Sequence, residues 1–175
     1  LNNAGYGKFE AITDMAIGEY ERMMDVNYMG AVRCIQSVLP AMLTRRDGQI
    51  VNVSSMAGKI GTAKSTSYTA TKHALLGFSN ALRQEIRGTG ITVTTINPGP
   101  IDTPFFDIAD PNGSYVSNVR WMMLKPEQVA EQIVRAMEKR KEEVNLPRLA
   151  SAAIRLYQLF PRLADRLTHG IMNQK

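Results

Sequence analysis

Tyr68 and Lys72 stand four residues apart in a stretch with helical spacing, so their side chains share one face. A phenol beside an ammonium is a candidate acid–base pair. Free tyrosine titrates near pH ~10, so about one in a thousand is phenolate at neutral pH. A neighbouring ammonium favours the phenolate, and a shift of about three units corresponds to roughly 4 kcal/mol. A phenol tuned in this way can hand a proton to a carbonyl oxygen, or its anion can take one from an alcohol. Ser55 can hold the same oxygen by a hydrogen bond. The pair alone is weak evidence, because a surface tyrosine next to a solvated lysine has the same spacing.

The elements that must position these groups are legible in outline. From residue 20 the buried-type positions Tyr20, Met24, Asn27, Ala31, Ile35, Val38 and Met42 recur in steps of three and four, which predicts a helix ending near residues 44–48. Asn27 is the polar intruder on that face, and local hydrogen bonding is its plain explanation. Residues 48–55, GQIVNVSS, are short, apolar and rich in β-branched types, as in a strand covered on both faces. The hydroxyls Ser54 and Ser55 close it. A Gly- and Ser-rich segment, 58–67, leads to a second helix with Tyr68, Leu75, Phe78, Leu82 and Ile86 in phase, ended by Gly88 or Gly90. A strand at 91–96 runs into a turn at 97–100. Residues 102–124 read as an irregular lid, broken by Pro104, Pro111 and Gly113. Trp121, Met122, Met123, Phe105 and Phe106 suggest that the lid turns an apolar surface to a substrate. A helix follows from Pro126, then a strand in EEVNLP, then an amphipathic tail from Leu149 to Ile171 interrupted by Pro161.

Strands alternating with helices predict an α/β fold, a Rossmann-like doubly wound parallel sheet. Ligands bind such sheets outside the carboxyl ends of the strands, where Ser54–Ser55, residues 97–103 and the NNAG of residues 2–5 all fall. The chain has 175 residues, enough for one core, with 44% hydrophobic and 21% charged residues. Cys34 is the only cysteine, and His73 and His169 lie far apart, so no disulfide framework or metal site is expected. A reducing, cytoplasmic setting is the plain reading. Of the net charge of +5, five cations between Arg148 and Lys175 against Asp165 supply +4. That tail reads as a solvated basic face, with contact to anionic lipid as the alternative.

Several motifs in order resemble those of the short-chain dehydrogenase/reductase family. NNAG at residues 2–5 is similar to the motif after the family's fourth strand. DVNYMG at 25–30 is similar to the segment holding its catalytic Asn, here Asn27. IVNVSSMAG at 50–58 is similar to the strand that delivers its Ser, and YTATK at 68–72 to its Tyr and Lys. Tyr68 follows Ser55 by thirteen residues, the family's common spacing, which favours Ser55 over Ser54. NPGPIDTP at 97–104 is similar to its Pro-Gly turn.

The resemblance implies a catalytic set of Asn27, Ser55, Tyr68 and Lys72. Tyr68 is then the acid/base, Lys72 lowers its pKa and binds ribose, Ser55 orients the carbonyl, and Asn27 bends its helix and holds a relay water. It implies a cofactor site of Asn3, Ala4, Gly5, Tyr68, Lys72, Pro98, Gly99, Ile101 and Thr103. Within it, Asn3 meets the adenosine side, and Ile101 and Thr103 hold the carboxamide. The cofactor is NADP or NAD, with NADP slightly ahead. The implied partners are a small carbonyl or alcohol substrate and a second copy of the chain, not nucleic acid.

The family's glycine-rich pyrophosphate turn and the residue that separates NAD from NADP are not in this sequence. The expectation is therefore a C-terminal portion of a Rossmann domain at 1–147 and a basic helical tail at 148–175, with its N-terminal half and its activity belonging to a longer parent. The tail resembles those of an uncharacterised bacterial subgroup. Two rival readings stay open: an epimerase or dehydratase sharing the Tyr-x-x-x-Lys pair, and a non-catalytic or peripherally membrane-associated module.

Overall fold

The computed structural model describes residues 1–160. The kink expected at Pro161, His169 and the basic residues Arg162, Arg166 and Lys175 lie outside the described residues.

Helix α1 (Ile17–Met24) continues through a π-turn (Asp25–Met29) into α2 (Gly30–Arg45). In the π-turn the Gly30 N–H bonds the Asp25 carbonyl, one residue beyond the α-helical partner. The wider turn keeps four-residue steps on one face, and the buried row is Met23, Asn27, Ala31 and Ile35. This differs from the sequence pattern. Met24 is only half-buried, and Val38 is 44% exposed. A uniform helical period cannot anticipate one inserted residue.

Strand β1 (Gly48–Val53) follows, then a short 3₁₀ turn (Met56–Gly58) and the long helix α3 (Thr66–Glu85). Strand β2 (Ile91–Pro98) lies parallel to β1, with Ile50 opposite Val93 and Val53 opposite Ile96. Gly90 feeds it with φ +88°, and an added Cβ there would collide with the Arg46 carbonyl oxygen. Helices α4 (Phe105–Ala109) and α5 (Ser114–Val119) precede α6 (Pro126–Glu138), strand β3 (Glu143–Leu146) and α7 (Arg148–Leu159). Among the described residues the sheet is parallel, in the order β1-β2-β3. Asn2 extends it as an isolated parallel bridge to Asn52, its N–H 2.7 Å from the Val51 oxygen.

Alternate strand residues face opposite layers. Ile50 and Val93 pack with Ile35, Leu82 and Ile86 from α2 and the end of α3, whereas Val51 and Ile96 pack with Ala136 from α6. Full burial of Val51 and Ile96 contributes roughly 1.5–3 kcal/mol each. The α/β expectation holds, with helices on both faces of a parallel sheet.

The stretch 102–124 is more ordered than its breakers suggested. Pro104 stands just before α4, and Gly113, at φ +68°, stands just before α5, so the breakers mark boundaries. Asp110 closes the first turn of α5, accepting from the Val116 N–H at 2.9 Å and the Ser114 hydroxyl at 3.2 Å. The ends are pinned together by a parallel bridge between Ile101 and Leu124. Among the described residues, no helix is long and apolar enough to cross a membrane.

Candidate active site

The carboxyl ends of β1 and β2 open onto one cavity of about 460 Å³. Strand β1 delivers Ser54 and Ser55 to it with different roles. Ser54 is buried and its hydroxyl donates to the Lys72 carbonyl at 3.0 Å, tying the strand end to α3. Gly58 lets this contact close, because a Cβ would lie 2.8 Å from both the Lys72 oxygen and Ser54 Oγ. Ser55 Oγ accepts from the Ala57 N–H at 3.0 Å, its hydroxyl donates to the Pro98 carbonyl at 3.4 Å, and it stands beside the Tyr68 phenol. Both serines line the cavity.

Tyr68 lies in the first turn of α3 and Lys72 one turn later. The Tyr68 ring packs between Phe9 and Phe105, with centroids 6.2 and 5.4 Å away. Lys72 Nζ donates to the Val53 carbonyl at 2.9 Å and lies 5.6 Å from the Tyr68 ring centroid. Sequence reasoning expected the ammonium to lower the phenol's pKa. In the structure burial dominates the phenol's titration instead. Burial pushes Tyr68 up to about 12, against a partial lowering by the Ser55 hydrogen bond. Burial also pushes Lys72 down to about 8. Each charged form loses hydration, so both groups shift toward neutrality.

This has a consequence for stability. Below about pH 8 the buried ammonium is a constant cost to the fold. Between about 8 and the ordinary lysine value of 10.5, the unfolded chain still binds a proton that the folded chain has released. Stability therefore rises with pH through that window, by at most about 3 kcal/mol. Denaturant midpoints measured from about pH 7.5 to 9.5 should climb, and Lys72→Met should flatten the climb. A flat wild-type profile would refute the buried, depressed ammonium.

Asn27 is fully buried on the π-turn, behind the cavity. Its amide donates to the Tyr6 carbonyl at 2.8 Å and to Thr71 Oγ1 at 3.0 Å, and its oxygen accepts from the Tyr6 N–H at 3.0 Å. Both amide hydrogens are thus committed to protein atoms. The side chain clamps the backbone that follows Gly5. A Cβ on Gly5 would lie 3.0 Å from Asn27 Oδ1 and 3.6 Å from Lys72 Nζ.

The structure brings Asn3, Gly5, Ser55, Tyr68, Lys72, Pro98, Gly99, Ile101 and Thr103 together as cavity lining. Asn27 and Ala4 do not line it. Strand β2 runs two residues further than the sequence indicated, to Pro98, because Asn97 and Pro98 pair with Asn145 and Leu146. The Gly99 N–H then bonds the Leu146 oxygen at 2.7 Å, which fixes the Pro-Gly turn at the cavity rim.

Phe9, Tyr115, Ile60 and Ile154 also line the cavity and escaped the sequence reading. Phe9 lies in a segment without periodicity, so only its type was a signal. Of the lid residues expected to face a substrate, Phe105, Phe106 and Met122 do so, Met123 lies outside the lining, and Trp121 is 83% exposed. Helix α7 places Ile154 over the cavity. On the same segment Leu156, Leu159 and Phe160 are 62%, 71% and 59% exposed.

The sequence model for the short chain dehydrogenase family matches residues 1–112. The chain is 37% identical over 172 residues to cattle "Dehydrogenase/reductase SDR family member 7B", covering 95% of this chain and 53% of the relative. It is 34% identical over 178 residues to the uncharacterized oxidoreductase YbbO of Escherichia coli K12, covering 97% and 66% respectively. Among solved structures, a short chain dehydrogenase/reductase of Burkholderia phymatum in complex with NAD superposes with TM-score 0.80 at 23% identity, over 93% of this chain and 66% of that one. The chain thus spans about half to two thirds of the length of these proteins.

Proposed function

The chain belongs to the short-chain dehydrogenase/reductase family, and from that membership we propose that the whole protein interconverts a carbonyl and an alcohol with a nicotinamide cofactor. The observation that carries the reading is the convergence of Ser55, from the end of β1, and Tyr68, from the start of α3, on one cavity with Lys72 a turn behind.

The residues present fit a nicotinamide cofactor on one side of the cavity. Gly5 and Gly99 offer a wall without side chains, and a Cβ at Gly5 would press on Asn27 Oδ1 at 3.0 Å. Asn3, Gly5, Pro98, Gly99, Ile101 and Thr103 would hold it together with Tyr68 and Lys72, whereas Ala4, named by the resemblance, lies outside the lining. When bound, the cofactor supplies or accepts the hydride.

The chain's own groups handle the proton. With its pKa near 12, Tyr68 is a neutral phenol at pH 7, the form that donates to a carbonyl oxygen as negative charge develops there. The Ser55 hydroxyl donates a hydrogen bond to the same oxygen. Lys72, still mostly protonated at pH 7, stabilises the phenolate left behind. Asn27 acts by position, through the Tyr6 backbone that its amide clamps.

The epimerase or dehydratase alternative needs cations for a sugar-nucleotide diphosphate. Among the described lining residues only Lys72 is charged, and its ammonium is already bonded to the Val53 oxygen. The exposed Leu156, Leu159 and Phe160 favour a second role for α7, as a contact to a membrane or to another copy of the chain. Pelleting with anionic liposomes at low salt, abolished by removing residues 149–175, would support the membrane contact.

The deciding experiment for the main reading is a carbonyl screen of the whole protein with NADPH and NADH, followed by nicotinamide absorbance. Reduction of at least one ketone, saturable in cofactor, is the expected result. Absence of turnover across the panel would overturn the proposal.

A further inference from the structure

The cavity has two chemically different sides. One is backbone from the turns at Asn3–Gly5 and Pro98–Gly99. The other is aromatic. Phe9 meets Tyr115 at 5.1 Å, Tyr115 meets Phe106 at 5.6 Å, and Phe106 meets Phe105 at 5.2 Å between centroids. Tyr68 joins this row through Phe9 and Phe105, so the proposed proton donor sits where the two sides meet. A ligand carboxylate, phosphate or ammonium on the aromatic side would lose its hydration and meet no charged group but Lys72 among the described lining residues. An aromatic or branched apolar group there would gain edge-to-face contacts and leave water.

We infer that the aromatic side is the substrate subsite, that it selects uncharged ketones or aldehydes bearing an apolar, preferably aromatic, group near the carbonyl, and that Phe105 sets the fit. This rests on the reductase reading above. Phe105 is distinguished from its neighbours by position. Phe105 and Phe106 both line the cavity, but Phe106 is buried whereas Phe105 is half-buried. Its ring lies directly over Gly7, where a Cβ would come within 2.7 Å of Phe105 Cζ and 3.2 Å of Tyr68 Cδ2. One bare backbone position therefore seats both rings. The Phe105 face is fixed relative to the phenol that must reach the carbonyl oxygen.

The test uses the whole protein with its preferred nicotinamide cofactor and three ketones: benzylacetone, butanone and levulinate. In the wild type, kcat/KM for benzylacetone should exceed that for levulinate by about 100-fold or more, as a buried charge without a partner demands. Phe105→Ala should lower the benzylacetone-to-butanone ratio of kcat/KM about tenfold or more. Phe105→Leu, which keeps apolar volume, should lower it less and serves if the alanine variant folds poorly. Saturation-transfer NMR supplies a binding readout apart from turnover, with transfer to the benzylacetone ring protons in the wild type and a weaker signal in Phe105→Ala.

A preference for levulinate, or a ratio unmoved by both Phe105 variants, would overturn the inference. Failures of the two readings are distinguishable. Reduction that depends on Tyr68 but favours levulinate defeats only the selectivity. Reduction of none of the three ketones, or reduction indifferent to Tyr68→Phe, defeats the reductase reading and the inference with it.

Discussion

Tyr68→Phe in the whole protein should lower carbonyl reduction by about 10²–10⁴-fold, the usual contribution of a positioned general acid. The substitution removes one oxygen and leaves the ring between Phe9 and Phe105. The aromatic row should therefore persist, and the melting temperature should change little. Ser55 keeps its contact with the Ala57 N–H, so the strand end stays in place. The pH profile adds an independent check. Reduction needs a protonated Tyr68, which burial keeps protonated to about pH 12, so the phenol imposes no alkaline limb at ordinary pH. Lys72, pushed down to about 8, does impose one. The wild-type kcat/KM for reduction should fall as pH rises through about 8, because a neutral amine no longer stabilises the developing phenolate. Wild-type turnover in Tyr68→Phe would defeat the assignment.

Asn27→Ala should cost the fold about 3 kcal/mol or more and lower the melting temperature by roughly 6–12 °C. The change strands the Tyr6 N–H and the Tyr6 carbonyl and takes one donor from the Thr71 hydroxyl, which keeps its own bond to the Tyr68 carbonyl. Asn27→Asp keeps an acceptor for the Tyr6 N–H but removes both amide donors, so its loss should be intermediate only if its carboxyl takes up a proton. Two measurements separate a clamp from a proton relay. A clamp lowers stability, while the pH dependence of the remaining activity is unchanged. A relay residue lowers kcat and shifts the profile in a protein that melts normally. The committed amide hydrogens place the expectation on the clamp.

Much of the fold was legible because its signals are local. Short β-branched runs followed by helical periods recovered β1, α3, β2, α6 and β3, and the pattern of alternation implied a parallel sheet. The lid at 102–124 was misread as irregular because Pro104, Pro111 and Gly113 break any long period. They stand between short helices, and helices of five and six residues leave too little periodicity to detect. Amphipathic spacing identified a stripe on α7, and packing decides which positions are covered: Ile154 and Tyr157 are half-buried, whereas Leu156, Leu159 and Phe160 are exposed.

Ser55, Tyr68 and Lys72 were found from residue type and spacing, because four residues along a helix put Tyr68 and Lys72 on one face wherever that helix packs. The sequence alone thus determined the α/β class, the order of elements and the candidates for moving a proton. Tertiary structure decided their electrostatics and their surroundings. The sign of the Tyr68 shift depends on how much water Phe9 and Phe105 exclude, and those residues come from segments far apart in the chain. The commitment of Asn27 to Tyr6 likewise spans 21 residues, and its bond to Thr71 spans 44. Desolvation and long-range hydrogen bonding belong to the packed molecule, so no reading of local pattern contains them.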